Sequence, residues 1–435
     1  MSGLGRVRVG RSFVLVLVSF VCLLGVGSLV LAGSALASGP GAGWEVFGYF
    51  GPTDLTPGGH GSLHLYVFST GAEPNGTPVV VTDRLPVGWT AGAVPAGCVG
   101  EGTSVLTCEI APGSLPPGNS QGRPVEIGFG VNVPLGASSA TDHVEVSGGP
   151  ANAVDGTVPA TVGTGEAGIG ISNADEWLTN ADGSVDTQAG SHPYELTVAF
   201  AVNTAIKNGL EVPAGGEPRD IEVRLPPGIV GDPTAIPQCN RQQFEEGEFG
   251  PSCPAASQVG EDTAHINEGE GLLTVPIYNM VPPKGVAAQF AFTIENVRTY
   301  LDARVRSGGD YGITVHVDNV AQLGVLGNSA TFWGVPGETS HDFSRRNQEG
   351  NGCLNDGIGG CGSTAGLTPF LSLPTSCSGP QTFEAEILST WKNASADVGR
   401  SFVSHNGLGE PVGFSGCERL VHFEPSMAIS PDTGV

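Results

Sequence analysis

Apolar and polar positions alternate along much of this chain. In Val125-Glu126-Ile127-Gly128-Phe129-Gly130-Val131 the apolar residues occupy every second position and share one face of an extended strand. Ser62-Leu63-His64-Leu65-Tyr66-Val67-Phe68 keeps the same period, with Leu63, Leu65 and Val67 on one face and His64, Tyr66 and Phe68 on the other. Such a strand is expected to be partly buried on both sides. Similar runs cover 44–50, 78–82, 104–109 and 142–147, then 167–172, 194–202, 220–224, 272–278, 287–294, 311–317, 330–333 and 382–388. Short β-branched and aromatic runs between turn residues are the pattern of many short strands.

An internal echo organises these strands. Val79-Val80-Val81-Thr82-Asp83-Arg84-Leu85-Pro86-Val87-Gly88 is matched by Asp220-Ile221-Glu222-Val223-Arg224-Leu225-Pro226-Pro227-Gly228. Each copy is an alternating strand stopped by Arg-Leu-Pro-x-Gly, where Pro removes a ladder donor and Gly permits a sharp exit. A cysteine follows each copy at similar distance (Cys98, Cys239), with a second shortly after. Two modules on one plan are expected, at 38–162 and 163–420, with 421–435 starting a truncated further module or tail. The expected fold class is all-β, with two tandem β-sandwich modules of immunoglobulin-like design.

Composition adds the compartment. Arg6, Arg8 and Arg11 precede an apolar run over 12–32, and Ala35 and Ala37 then give a small-x-small exit. These are the three parts of a secretory signal, read as 1–37; an uncleaved anchor would equally leave the remainder outside. No later segment is long and apolar enough to span a membrane. Without Cys22, eight cysteines remain, an even number that outside a cell reads as disulfides. Their clustering suggests Cys98–Cys108, Cys239–Cys253, Cys353–Cys361 and Cys377–Cys417. With 68 Gly and 33 Pro in 435 residues, helical and α/β enzymes are disfavoured. A net charge of −25, from 18 basic and 43 acidic residues, argues against nucleic acid and anionic lipid surfaces.

Thr82-Asp83-Arg84-Leu85-Pro86-Val87-Gly88-Trp89, then Cys98, then Leu106-Thr107-Cys108, then Leu115-Pro116-Pro117-Gly118, resembles a family of immunoglobulin-like repeats found in bacterial surface and secreted proteins. The resemblance covers roughly 61–149. It implies stalk-like or adhesive architecture and brings no catalytic residues. Gln188-Ala189-Gly190-Ser191-His192-Pro193-Tyr194, Arg224-Leu225-Pro226-Pro227-Gly228, the stretch from Cys253 to Gly260 and Phe332-Trp333-Gly334-Val335-Pro336 resemble large uncharacterised secreted proteins of actinobacteria, over most of 166–395. That resemblance implies no particular activity.

Several constellations invite chemistry. Gly118-Asn119-Ser120-Gln121-Gly122 fits the esterase elbow by letters, but prolines flank it and a strand follows where a helix is needed. Asp175, Asn180, Asp182 and Asp186 are candidate calcium ligands near the module boundary. They miss EF-hand spacing, and Asx-turns are the rival reading. His60 and His64 share a strand face and form a conceivable surface metal pair without a third ligand. Trp333 and Trp391 are weighed as a glycan platform against core tryptophans. The expectation is a non-catalytic, secreted or cell-surface structural or adhesive protein whose partner is cell-wall polymer, glycan or a surface protein, with no cofactor beyond a candidate Ca2+. The alternatives are a glycan- or calcium-binding module, or a secreted hydrolase with its site in the Gly-rich insert 346–366.

Overall fold

Among the described residues between Trp44 and Val162 ten strands form: β1 (Trp44–Gly51), β2 (Asp54–Leu55), β3 (His60–Ser69), β4 (Val79–Arg84), β5 (Thr90–Ala91), β6 (Cys98–Val99), β7 (Val105–Ile110), β8 (Val125–Asn132), β9 (Ala140–Gly148) and β10 (Val154–Val162). They build two sheets, ordered β1-β3-β8-β5 and β2-β10-β9-β4-β7-β6, with β2 joining β10 in parallel. Because alternate side chains point to one face, Leu63, Leu65 and Val67 meet Val79, Val81, Val144 and Val146 in one core, closed by Trp44, Phe50 and Trp89. The opposite face of β1 and β3 carries Phe47, Tyr49, Tyr66 and Phe68, which are buried in a second cluster. Both faces of β3 are covered, as its pattern predicts.

The structure is a computed structural model, and it describes residues 41–73, 76–112, 114, 124–246, 251–267, 271–342, 344–345, 362–421 and 426–427. All of these fall in the unit Ser38–Val435. The expected signal segment, the Gly118–Gly122 loop, Cys353 and Cys361, and the residues after Met427 lie outside them.

Fifteen further strands follow: β11 (Ile171–Thr179), β12 (Glu195–Val202), β13 (Thr204–Lys207), β14 (Leu210–Pro213), β15 (Pro218–Arg224), β16 (Val230–Gly231), β17 (Gln258–Ile266), β18 (Gly271–Met280), β19 (Ala288–Ile294), β20 (Val297–Val305), β21 (Ile313–Val317), β22 (Val325–Trp333), β23 (Leu371–Ser372), β24 (Thr382–Thr390) and β25 (Val398–Val403). Eleven of them make one sheet, ordered β11-β12-β22-β17-β18-β19-β20-β21-β15-β24-β25. The sheet curls until its two edges touch: Arg400 Nη1 of β25 donates to the Ser172 carbonyl of β11 at 2.7 Å. Its inner face gathers Phe200, Ile221, Ala264, Phe292, Leu301, Phe383 and Ile387 into one core.

The protein is all-β. The Arg-Leu-Pro-x-Gly stops end β4 and β15 alike. Disulfides join Cys98 to Cys108 across β6 and β7, Cys239 to Cys253, and Cys377 to Cys417. One expectation is displaced: the strand read at 167–172 forms at Ile171–Thr179. Its polar residues, Asn173, Asp175 and Glu176, obscure the alternation; Asn173 and Glu176 are buried where β11 meets β1. Strand β17 was not legible for a similar reason, since Glu261, Asp262 and His265 are buried within it.

Candidate functional site

The face of β1 and β3 turned away from the sandwich core packs on the wrapped sheet. Phe47, Tyr49, Tyr66 and Phe68 meet Trp177 of β11, Ala199 and Ala201 of β12 and Leu326 of β22. Phe68 and Trp177 have ring centroids 4.8 Å apart. Asn173 Nδ2 donates to the Gly48 carbonyl at 2.9 Å. The hairpin β13–β14 reaches back as a strap: Thr53 N donates to the Thr204 carbonyl, and Thr204 N donates to Thr53 Oγ1.

Beside this aromatic core lies a cluster drawn from five strands. His64 of β3 has Nδ1 at 3.3 Å from Glu126 Oε1 of β8 and Nε2 at 3.3 Å from Glu211 Oε2 of β14. The Glu211 carboxylate lies directly over Gly51, so a side chain at 51 would have to push it aside. His265 of β17 has Nδ1 at 2.8 Å from the Tyr49 hydroxyl and 2.6 Å from the Tyr66 hydroxyl. Tyr49 stacks on His64 at 4.9 Å, and the two imidazole centroids are 5.4 Å apart. Burial pulls His64 down, but its bonds to Glu126 and Glu211 prevail and raise its pKa to about 9. Burial and the charge of His64 lower His265 to about 4. One donor atom each from His64, Glu126 and His265 lie within 4.8 Å of one another, a grouping of His, Cys, Asp or Glu that no other three described residues make.

A second feature is a cavity of about 130 Å³ inside the curled sheet. Leu196, Val198, Phe200, Val223, Phe292, Val317 and Phe332 line it, and its polar lining is Asp262, Asn328 and Thr299. Asn328 Nδ2 donates to both Asp262 oxygens at 3.0 Å, while burial lifts Asp262 to about 7. On β22 the cavity-facing Val325, Ala330 and Phe332 are half-buried, whereas Leu326, Ser329, Thr331 and Trp333 on the other face are buried. The inner wall is therefore packed less tightly than the outer one. Apolar cavities with one fixed polar group suit small ligands.

Buried carboxylates also occur elsewhere, among them two pairs. Glu45 of β1 and Glu176 of β11 are each raised to about 8, chiefly by burial. Beside them, Asp175 Oδ1 accepts from His405 Nε2 at 2.8 Å. Asp83 of β4 and Asp142 of β9 face the sandwich core, where as carboxylates neither has a side-chain donor among the described residues. Burial raises Asp83 to about 7, and burial with the charge of Asp83 raises Asp142 to about 9. A proton between the two supplies the donor each lacks.

The sequence-predicted residues divide sharply. Asp182 Oδ1 accepts from Ser184 N and Oγ, Asn180 Nδ2 donates to Ser184 Oγ and the Val185 carbonyl, and Asp186 accepts from Gln188 N and Ser191 Oγ. These are local turn bonds, and Asp175 is on β11 facing His405. His60 does not join His64; its Nδ1 contacts Asn132 Oδ1 at 2.8 Å. Trp333 is buried in a stack, with His341 on its ring at 4.6 Å, Tyr194 beyond at 4.5 Å from His341, and Arg345 5.0 Å from the indole. Trp391 is exposed and donates Nε1 to the Val320 carbonyl. Glu126, Glu211 and His265 carried no signal in the sequence beyond being polar residues in or near strands.

No known family matches the sequence, and no curated protein matches it. Among solved structures, the partial N-terminal region of an enterococcal surface protein is 9% identical, with 84% of this chain and 95% of that one covered and a TM-score of 0.23. A β-glucuronidase of glycoside hydrolase family 2 is 9% identical, covers 68% of this chain and 30% of that one, and has a TM-score of 0.19. A type II cohesin dyad from the adaptor ScaA scaffoldin of Acetivibrio cellulolyticus is 11% identical, covers 70% and 94%, and has a TM-score of 0.18. Scores this low carry no functional argument.

Proposed function

We propose that the protein is an exported, non-catalytic structural or adhesive component of a bacterial cell surface. The junction carries this reading. Linked domains move relative to each other unless their interface is large and hydrophobic, and here an aromatic core, a strap and buried hydrogen bonds fuse the sandwich to the wrapped sheet. Such a unit holds its ends at a set separation, as a surface spacer must. Three disulfides support an oxidising compartment outside the cytosol. The partner is wall polymer, a glycan or another surface protein.

Co-sedimentation of the purified chain with isolated cell walls, with and without calcium, tests the reading. Saturable sedimentation supports it, and calcium dependence would assign Asp175, Asn180, Asp182 and Asp186 a cation after all. No sedimentation under either condition removes wall binding and leaves a protein partner to be sought.

The cavity favours a second reading, uptake of a small apolar molecule by the wrapped sheet. An apolar fluorescent probe should bind the chain and be excluded by Ala330→Phe, which fills the cavity from β22. Binding that is unchanged in that variant would place the probe elsewhere.

A further inference from the structure

We propose that His64, Glu126 and His265 form a binding site for a divalent transition cation of the zinc class, which staples the first sandwich to the wrapped sheet. Donor type and spacing are the first support. Two imidazoles and a carboxylate are a familiar zinc set, and with bonds of about 2.0–2.1 Å the donors around a tetrahedral ion stand about 3.3 Å apart. His64 Nδ1 and Glu126 Oε1 already stand 3.3 Å apart, and the third donor is within 4.8 Å.

Orientation is the second support. Histidine ligands are usually held through their other nitrogen by a carboxylate or another hydrogen-bonding group. Glu211 and Ser62 take the Nε2 side of His64, at 3.3 and 3.1 Å, leaving Nδ1 to the ion. Tyr49 and Tyr66 bond Nδ1 of His265 and so fix its ring. Charge is the third: the carboxylates of Glu126 and Glu211 both border the site, which suits a cation. Glu126 is exposed, so the ion enters from its side and water completes the coordination. Calcium prefers six to eight oxygens, so the nitrogen donors select against it.

The ligands come from β3, β8 and β17, so the ion would tie both bodies together across the junction. Zinc(II) titrated into the full purified chain by calorimetry should bind at one equivalent, with calcium unable to displace it. Affinity should fall at least about tenfold in Glu126→Gln and in His265→Gln and stay unchanged in His60→Gln. Cobalt(II), as a spectroscopic probe, should give a visible band that the same two variants remove. If His265→Gln does not fold, the exposed Glu126→Gln decides alone. No saturable binding, or binding that Glu126→Gln leaves intact, overturns the proposal.

Discussion

The sandwich and the wrapped sheet use the same strand ending to enclose different interiors. In β4 the inward positions before the stop are Val79, Val81 and Asp83; in β15 the aligned positions are Ile221 and, in place of Asp83, Val223. The sandwich has a second sheet opposite. Its interior is closed by side chains from both, with Trp44, Trp89, Phe50 and Leu63 almost wholly buried. The wrapped sheet has to curl over itself, and a curled sheet of many strands encloses more space than its side chains fill. Val223 accordingly lines a cavity and stays half-buried. One local motif is compatible with a filled core or a hollow one, and strand count around the core decides which.

Truncation should break this symmetry most strongly. Trp89→Ala empties a filled site in the sandwich and should cost about 3–5 kcal/mol in chemical denaturation. Phe332→Ala, on a wall that already reaches the cavity, should cost about 1 kcal/mol, because less of its surface leaves water on folding. Equal costs would mean the wrapped sheet is as closed as the sandwich.

Covalent ties rank next. The Cys377–Cys417 bond spans a sequence separation of 40 and Cys98–Cys108 one of 10. By loop entropy, replacing the first pair with serine should cost about 4 kcal/mol and the second about 3 kcal/mol. The reverse order, measured by urea midpoints, would show that native contacts and not loop length govern these regions.

Proton linkage separates the two copies more selectively. Asp83 and Asp142 have folded pKa values of about 7 and about 9, above the ordinary aspartate value of about 3.9, so the native state binds more protons than the unfolded chain between those limits. Their contribution is complete below about pH 4 and is lost as pH rises through 7 and 9. Asp142→Asn keeps a donor facing Asp83 and should recover about 1–3 kcal/mol at pH 9, the cost of a buried group without a partner. Val223 stands where Asp83 would be, so Val223→Thr should leave the slope of stability against pH unchanged. A wild-type slope that survives in Asp142→Asn would assign the effect to Glu45, Glu176, Glu195 or Asp262 instead.

The smallest effect is the sharpest comparison. Ala330→Leu adds volume into the cavity and should change stability by less than about 1 kcal/mol. Ala160→Leu overfills the sandwich core and should cost about 1–3 kcal/mol. Thermal denaturation of the two variants side by side reads the difference directly.

About half of the strands among the described residues were legible, because alternation is a local property. Leu63, Leu65 and Val67 choose one face against His64, Tyr66 and Phe68 whatever lies opposite, and Pro86 and Pro226 stop their strands without help from elsewhere. The neighbouring cysteines were legible too, since Cys98 and Cys108 fall opposite one another once β6 and β7 pair. Strands β11 and β17 were hidden, because buried Glu176, Glu261, Asp262 and His265 read as loop until the surfaces that cover them are known. The junction cluster was hidden for the same reason on a larger scale. His64 and His265 are 201 positions apart, and only the docking of β3 against the wrapped sheet sets their rings 5.4 Å apart. Local periodicity thus determined that this chain makes strands and where many of them end. Which polar residues are buried, which meet, and which core is left hollow follow from sheet packing over long sequence separations, a free energy that no single window of the chain contains.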